Sequence, residues 1–115
     1  MSKQNEHGIA IENRGDAAIV APEGDIDMSR SPDFRSALRR VNDTKPRRLV
    51  VDLASVGYMD SSGLATLVEC MRTAKANDTE MILCGMNERV RAIFEIARLD
   101  QFFHIENALA DIPGL

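Results

Sequence analysis

The sequence is poor in the residues that usually announce chemistry. It holds two cysteines, Cys70 and Cys84, at a spacing that suits neither a redox motif nor a zinc site. They read as two reduced thiols. Of the two histidines, His7 sits in a polar opening stretch and His104 near the far end, with no other ligands at metal-site spacing. His104 therefore reads as a structural or surface residue. A serine nucleophile would need a base within reach, and neither histidine is placed to serve. The GxSxG elbow, the GxxxxGKS/T phosphate loop and the GxGxxG fingerprint are all absent. The only lysines are Lys3, Lys45 and Lys75, none of which closes an expected strand-end loop. That removes the helping lysine of a phospho-aspartate receiver. An enzyme is thus the least supported class, and no metal site is expected.

No apolar run approaches the roughly 20 residues that cross a bilayer. The polar opening, Met1 to Gly8, lacks the apolar core of a signal peptide, so a cytoplasmic location is expected. A formal charge of −4 gives no general attraction to nucleic acid or acidic lipid.

What is present suits one soluble α/β domain. The chain has 115 residues, 44% hydrophobic and 28% charged, enough to bury a core without staples. Residues 1–7 read as a flexible lead-in. Ile9 to Glu12 and Ala17 to Ala21 are β-prone and flank Asn13-Arg14-Gly15-Asp16, which predicts an antiparallel hairpin. Ser31-Pro32-Asp33 predicts a helix start with Ser31 as the cap, and Phe34, Ala37, Leu38 and Val41 form its buried stripe. The basic residues Arg35, Arg39, Arg40, Lys45, Arg47 and Arg48 read as a solvated face and loop.

Leu49 to Leu53 is a nearly continuous apolar run, as in a central parallel strand. From Ser62, the residues Leu64, Leu67, Val68 and Met71 keep helical spacing up to Asn77-Asp78. Met81 to Cys84 predicts another strand. Asn87 caps a third helix whose inner face is Val90, Ile93, Phe94 and Ala97. A short edge strand near His104-Ile105 and a last short helix between Asn107 and Ile112 follow. The expected architecture is a mixed sheet of about five strands with about four helices packed against it.

Parallel strands place their carboxyl-end loops on one edge of the sheet. That edge should gather Gly24 to Met28, Ala54 to Ser62, and Gly85 to Asn87. It would unite Asp25, Asp27, Asp60, Ser61 and Ser62 with Met28, Tyr58, Met59 and Met86. Methionine is an adaptable apolar contact, so the set reads either as a protein-docking surface or as a cover for the sheet end. Asp60, Ser61 and Ser62 are each competent helix caps. Gly63 is harder to explain, because glycine costs about 1 kcal/mol against alanine in a helix. Close approach of a partner or phosphoryl group is one reason for it.

Gly24-Asp25-Ile26-Asp27, Leu49-Val50-Val51-Asp52-Leu53 and Met59-Asp60-Ser61-Ser62-Gly63-Leu64 together resemble the STAS domain of bacterial anti-anti-sigma factors. The later run from Cys84-Gly85 through Val90, Phe94 and Leu99 is similar too, so the likeness spans about Ile9 to Ala110. The resemblance implies a single STAS-type domain that binds an anti-sigma factor with serine kinase activity. It implies phosphorylation at Ser61, with Ser62 as second choice, release of the partner, and reversal by a PP2C-type phosphatase. Asp60 would help to position the serine. Asp27 would lie at the partner edge, with Asp25, Met28, Tyr58, Met59, Ser62, Gly63 and Met86 around it. ATP and magnesium would belong to the kinase, so the resemblance implies no cofactor of the chain's own. The alternative is a constitutive scaffold subunit of a transporter or stressosome-like complex, with both serines acting only as caps.

Overall fold

A computed structural model describes residues 2–115. Six strands form one sheet: β1 (Ser2–Glu6), β2 (Ile9–Arg14), β3 (Ala17–Pro22), β4 (Arg48–Asp52), β5 (Glu80–Cys84) and β6 (His104–Glu106). They lie side by side in chain order. The pairs β1–β2 and β2–β3 are antiparallel, and β3 through β6 run parallel. Three helices, α1 (Ser31–Asp43), α2 (Ser61–Ala76) and α3 (Glu88–Ile96), connect the parallel strands. Parallel neighbours need such crossovers, because a tight turn returns the chain antiparallel.

All three helices share one core. Phe34 and Leu38 of α1, Leu67 and Met71 of α2, and Val90 and Phe94 of α3 meet Val20, Leu49, Val51 and Leu83 from the sheet. The alternate strand residues Ile19, Val50, Ile82 and Cys84 face the other way and are covered by Leu109, Ile112 and Leu115. Arg48 ties that covering segment down by donating to the Pro113 carbonyl at 2.6 Å. The apolar runs of β3, β4 and β5 are continuous because both faces of these strands are buried.

Four expectations need correction. The stretch expected to be a lead-in forms β1, which pairs with β2 from Ser2↔Asn13 to Glu6↔Ile9; Met1 lies outside the described residues. This polar edge strand carries no apolar alternation to betray it. It forms because the His7-Gly8 turn, with both φ positive, folds the chain back along β2. The last predicted helix is only a 3₁₀ turn, Leu109–Asp111. Ser31 does not cap α1: Arg30 occupies the cap position and Ser31 is buried as the first helical residue. Ala97 lies just past α3 and is exposed, since the helix ends at Ile96.

The basic residues are largely paired on the surface. Arg35 and Arg39 reach Glu69 across the α1–α2 seam at 3.0 and 2.5 Å, and Arg40 reaches Glu6 on β1 at 3.0 Å. No helix among the described residues is long and apolar enough to cross a membrane.

Candidate functional site

The three strand-end loops do converge at one edge of the sheet. The loop after β3 runs beside the loop after β4 as an extra, irregular ply. Gly24 N–H donates to the Ser55 carbonyl at 2.9 Å and Ile26 N–H to Tyr58 at 2.9 Å. Asp60 N–H returns to the Ile26 carbonyl at 3.0 Å. Ile26 and Met59 thus form a parallel bridge, and their side chains, 1% and 0% exposed, close the end of the core. The loop after β5 joins through Asn87. Its amide donates to the carbonyls of Val56 at 3.2 Å and Gly57 at 3.1 Å, while its Oδ1 accepts Val90 N–H at 2.8 Å and starts α3. The Arg89 guanidinium stands 5.6 Å from the centre of the Tyr58 ring, within cation–π range.

The residue after each bridge position is an aspartate, and the two aspartates build the same turn. Asp60 Oδ1 accepts the Ser62 amide at 2.8 Å, the Ser62 hydroxyl at 2.5 Å and the Gly63 amide at 3.4 Å. Asp27 Oδ1 accepts the Ser29 amide at 2.9 Å, the Ser29 hydroxyl at 2.6 Å and the Arg30 amide at 3.2 Å. In each turn the middle residue points outward: Ser61 in one and Met28, 77% exposed, in the other. Asp60 is the cap of α2, in extended conformation, and Ser61 is its first helical residue. Among the described residues, the Ser61 hydroxyl has no hydrogen-bond partner, whereas that of Ser62 is held by Asp60.

The hydroxyl of Ser62 is the chief reason that the Asp60 carboxyl lies below its ordinary range, and the nearby Asp27 charge opposes the shift. The Ser29 hydroxyl lowers Asp27 in the same way. Both are therefore carboxylates at neutral pH. The two thiols are chemically quiet. Burial pushes both Cys70 and Cys84 up to about 12, far from a reactive thiolate.

Not every expected contact residue faces outward. Asp25, Asp27, Met28 and Ser61 are exposed, Tyr58 is 39% exposed, and Asp60, Ser62 and Met86 are half-buried. Met59 and Gly63 are buried, so the expectation that they lie at the exposed contact surface is corrected. Gly63 has an internal reason: a Cβ there would sit 2.6 Å from Met59 Cγ and 2.9 Å from Ile26 Cγ2. The close approach that demands glycine comes from the core beneath. Arg30 and Ser29 were overlooked in the sequence, although the repeated Asp-x-Ser spacing at 27–29 and 60–62 was there to be read.

A family model described as the STAS domain matches residues 8–112. The chain belongs to the STAS domain family. Among curated relatives of this STAS protein is the anti-sigma-B factor antagonist of Listeria monocytogenes, 31% identical over 91 residues, covering 79% of this chain and 80% of the relative. Its fold matches the crystal structure of an anti-sigma factor antagonist from Mycobacterium paratuberculosis, with a TM-score of 0.83, 22% identity and 94% of each chain covered. It also matches the Bacillus cell fate determinant SpoIIAA in its phosphorylated form, with a TM-score of 0.67, 17% identity, and 86% and 91% of the two chains covered. The identity and coverage shared with the curated relative place the chain in the anti-sigma factor antagonist family.

Proposed function

We propose that this STAS domain is a phosphorylation-controlled partner switch acting in the cytoplasm. Unphosphorylated, it binds an anti-sigma factor that is also a serine kinase. The kinase, supplying ATP and magnesium, phosphorylates Ser61, and the partner is released. A PP2C-type phosphatase restores the binding form. The observation that carries this reading is the contrast between the adjacent serines: Ser61 is exposed with a free hydroxyl, while Ser62 is half-buried and donates to Asp60 at 2.5 Å. A kinase needs an accessible, unengaged hydroxyl. The relative solved in phosphorylated form supports the same chemistry in this family.

The geometry also supports a mechanism for release. A helix N-terminus ordinarily welcomes an anion through its free amides. Here the Ser62 and Gly63 amides are already taken by Asp60, and the Leu64 amide by the Asp60 carbonyl at 3.2 Å. A phosphoryl group on Ser61 adds about −1.5 to −2 of charge at pH 7 beside two ionised aspartates. It stands on the surface as added negative charge and bulk, and repels the partner without a change of fold.

The test is intact-mass analysis with site mapping after incubation with the cognate kinase and MgATP. Wild type and Ser62→Ala should gain one phosphoryl group and Ser61→Ala none. Phosphate on Ser62, or labelling that survives Ser61→Ala, overturns the assignment.

A further inference from the structure

Arg30 is the last residue before α1, and its side chain turns back from the helix instead of following it. Nη1 donates to the carbonyls of Glu23 at 2.8 Å and Asp25 at 3.2 Å, and Nη2 donates to the carbonyl of His7 at 3.1 Å. One guanidinium thus gathers three carbonyls from two separate turns, the β1–β2 hairpin turn and the loop after β3. The floor beneath it is made of two glycines with left-handed backbone. A Cβ on Gly8 (φ 73°) would lie 3.3 Å from Nη2, and one on Gly24 (φ 85°) 3.2 Å from Nη1. The two turns are also joined directly, Glu23 N–H to the Gly8 carbonyl at 2.8 Å. Among the described residues no carboxylate forms an ion pair with Arg30. Its planar fork is engaged in carbonyl recognition, a geometry that a lysine ammonium does not reproduce.

The segment that Arg30 grips, Glu23 to Asp25, leads straight into Ile26, whose N–H and C=O hold Tyr58 and Asp60. We propose that Arg30 is a positioning residue for the switch. By clamping the loop after β3 to the hairpin turn, it fixes the Ile26–Met59 bridge and so the posture of the Asp60–Ser61 turn toward its partner. The proposal rests on the reading of Ser61 as the phosphorylated residue only for its functional consequence; the clamp itself is testable on the isolated protein.

The experiment compares wild type with Arg30→Met, which keeps an apolar stem without donors, and with Arg30→Lys, which keeps the charge without the fork. Amide hydrogen exchange at Ile26 and Asp60 should rise about tenfold in both variants, as expected when a hydrogen-bonded clamp is removed. The core amides of Val50 and Leu83 should stay as protected as in wild type. Unchanged protection at Ile26 and Asp60, an equal rise at all four amides, or full rescue by lysine overturns the clamp. In the second arm, Ser61 phosphorylation by the cognate kinase should show KM for the protein raised about fivefold at unchanged kcat in Arg30→Met. An unchanged KM overturns the positioning role. A wild-type protein that the kinase never labels rejects the reading of Ser61, and the amide arm then decides the clamp alone.

Discussion

The loops that lead into α1 and α2 use one device to different ends. In each, an aspartate following a buried bridge residue accepts the amide and hydroxyl of the serine two positions on. In each, the residue between is turned out to solvent. Before α1 the turn is complete before the helix begins, the exposed residue is Met28, and the position after the serine is Arg30. Before α2 the turn is the helix's own first turn, the exposed residue is Ser61, and the position after the serine is Gly63. The difference teaches how a modifiable hydroxyl is kept free. Asp60 captures its neighbour Ser62, which leaves Ser61 both rigidly presented and unbonded. The twin turn presents a flexible apolar side chain at the same edge.

The largest effect that would break the comparison is at the buried member of the α2 turn. Gly63→Ala drives a methyl into Met59 and Ile26, and overpacking of this kind should cost about 1–3 kcal/mol in denaturant unfolding. Full stability in this variant would mean that the bridge yields easily and does not hold the turn.

Next come the two aspartates. Asp60→Ala removes a true helix cap and should cost about 1 kcal/mol; Asp27→Ala, at an exposed turn outside its helix, should cost less. The pH dependence sharpens the same contrast. Each carboxyl is held below its ordinary value of 3.8 in the folded protein. Between the folded and unfolded values the unfolded chain binds more protons. The stabilisation is therefore complete above 3.8 and is lost as pH falls through the lowered folded value. Asp60→Ala should flatten the acid limb of the stability curve measured by thermal melts. An acid limb unchanged from wild type would show that the cap does not depend on the charge.

The smallest structural effect is expected at Met28. Met28→Ala should change stability by no more than about 0.5 kcal/mol, as is usual for an exposed site, while weakening the complex with the anti-sigma factor in calorimetric titration. Undiminished affinity would remove Met28 from the docking surface and leave the two turns alike only in shape.

The main architecture was legible because it rests on local patterns. Apolar runs at Ala17–Val20, Leu49–Leu53 and Met81–Cys84, helical spacing from Phe34 to Val41 and from Leu64 to Met71, and the turn chemistry at Asn13–Asp16 each report burial directly. Strand β1 escaped because its backbone pairing along β2 is independent of its polar side chains. The false cap at Ser31 arose because Ser-Pro-Asp is a sound local signal. The chain enters α1 already turning, with the upstream Asp27 holding the amides of Ser29 and Arg30.

The sequence by itself determined that this is an α/β domain with an Asp-Ser-Ser-Gly junction at the carboxyl end of a central strand, because burial and strand order follow from hydrophobic periodicity. Only the tertiary structure decided what each residue of that junction does. Which serine is free depends on where Asp60 points, and the need for glycine at 63 depends on Ile26 arriving from a different loop. The first is a contact two residues along the chain, fixed once the backbone of Asp60 is extended; the second is set by a loop distant in sequence, and no local pattern encodes it.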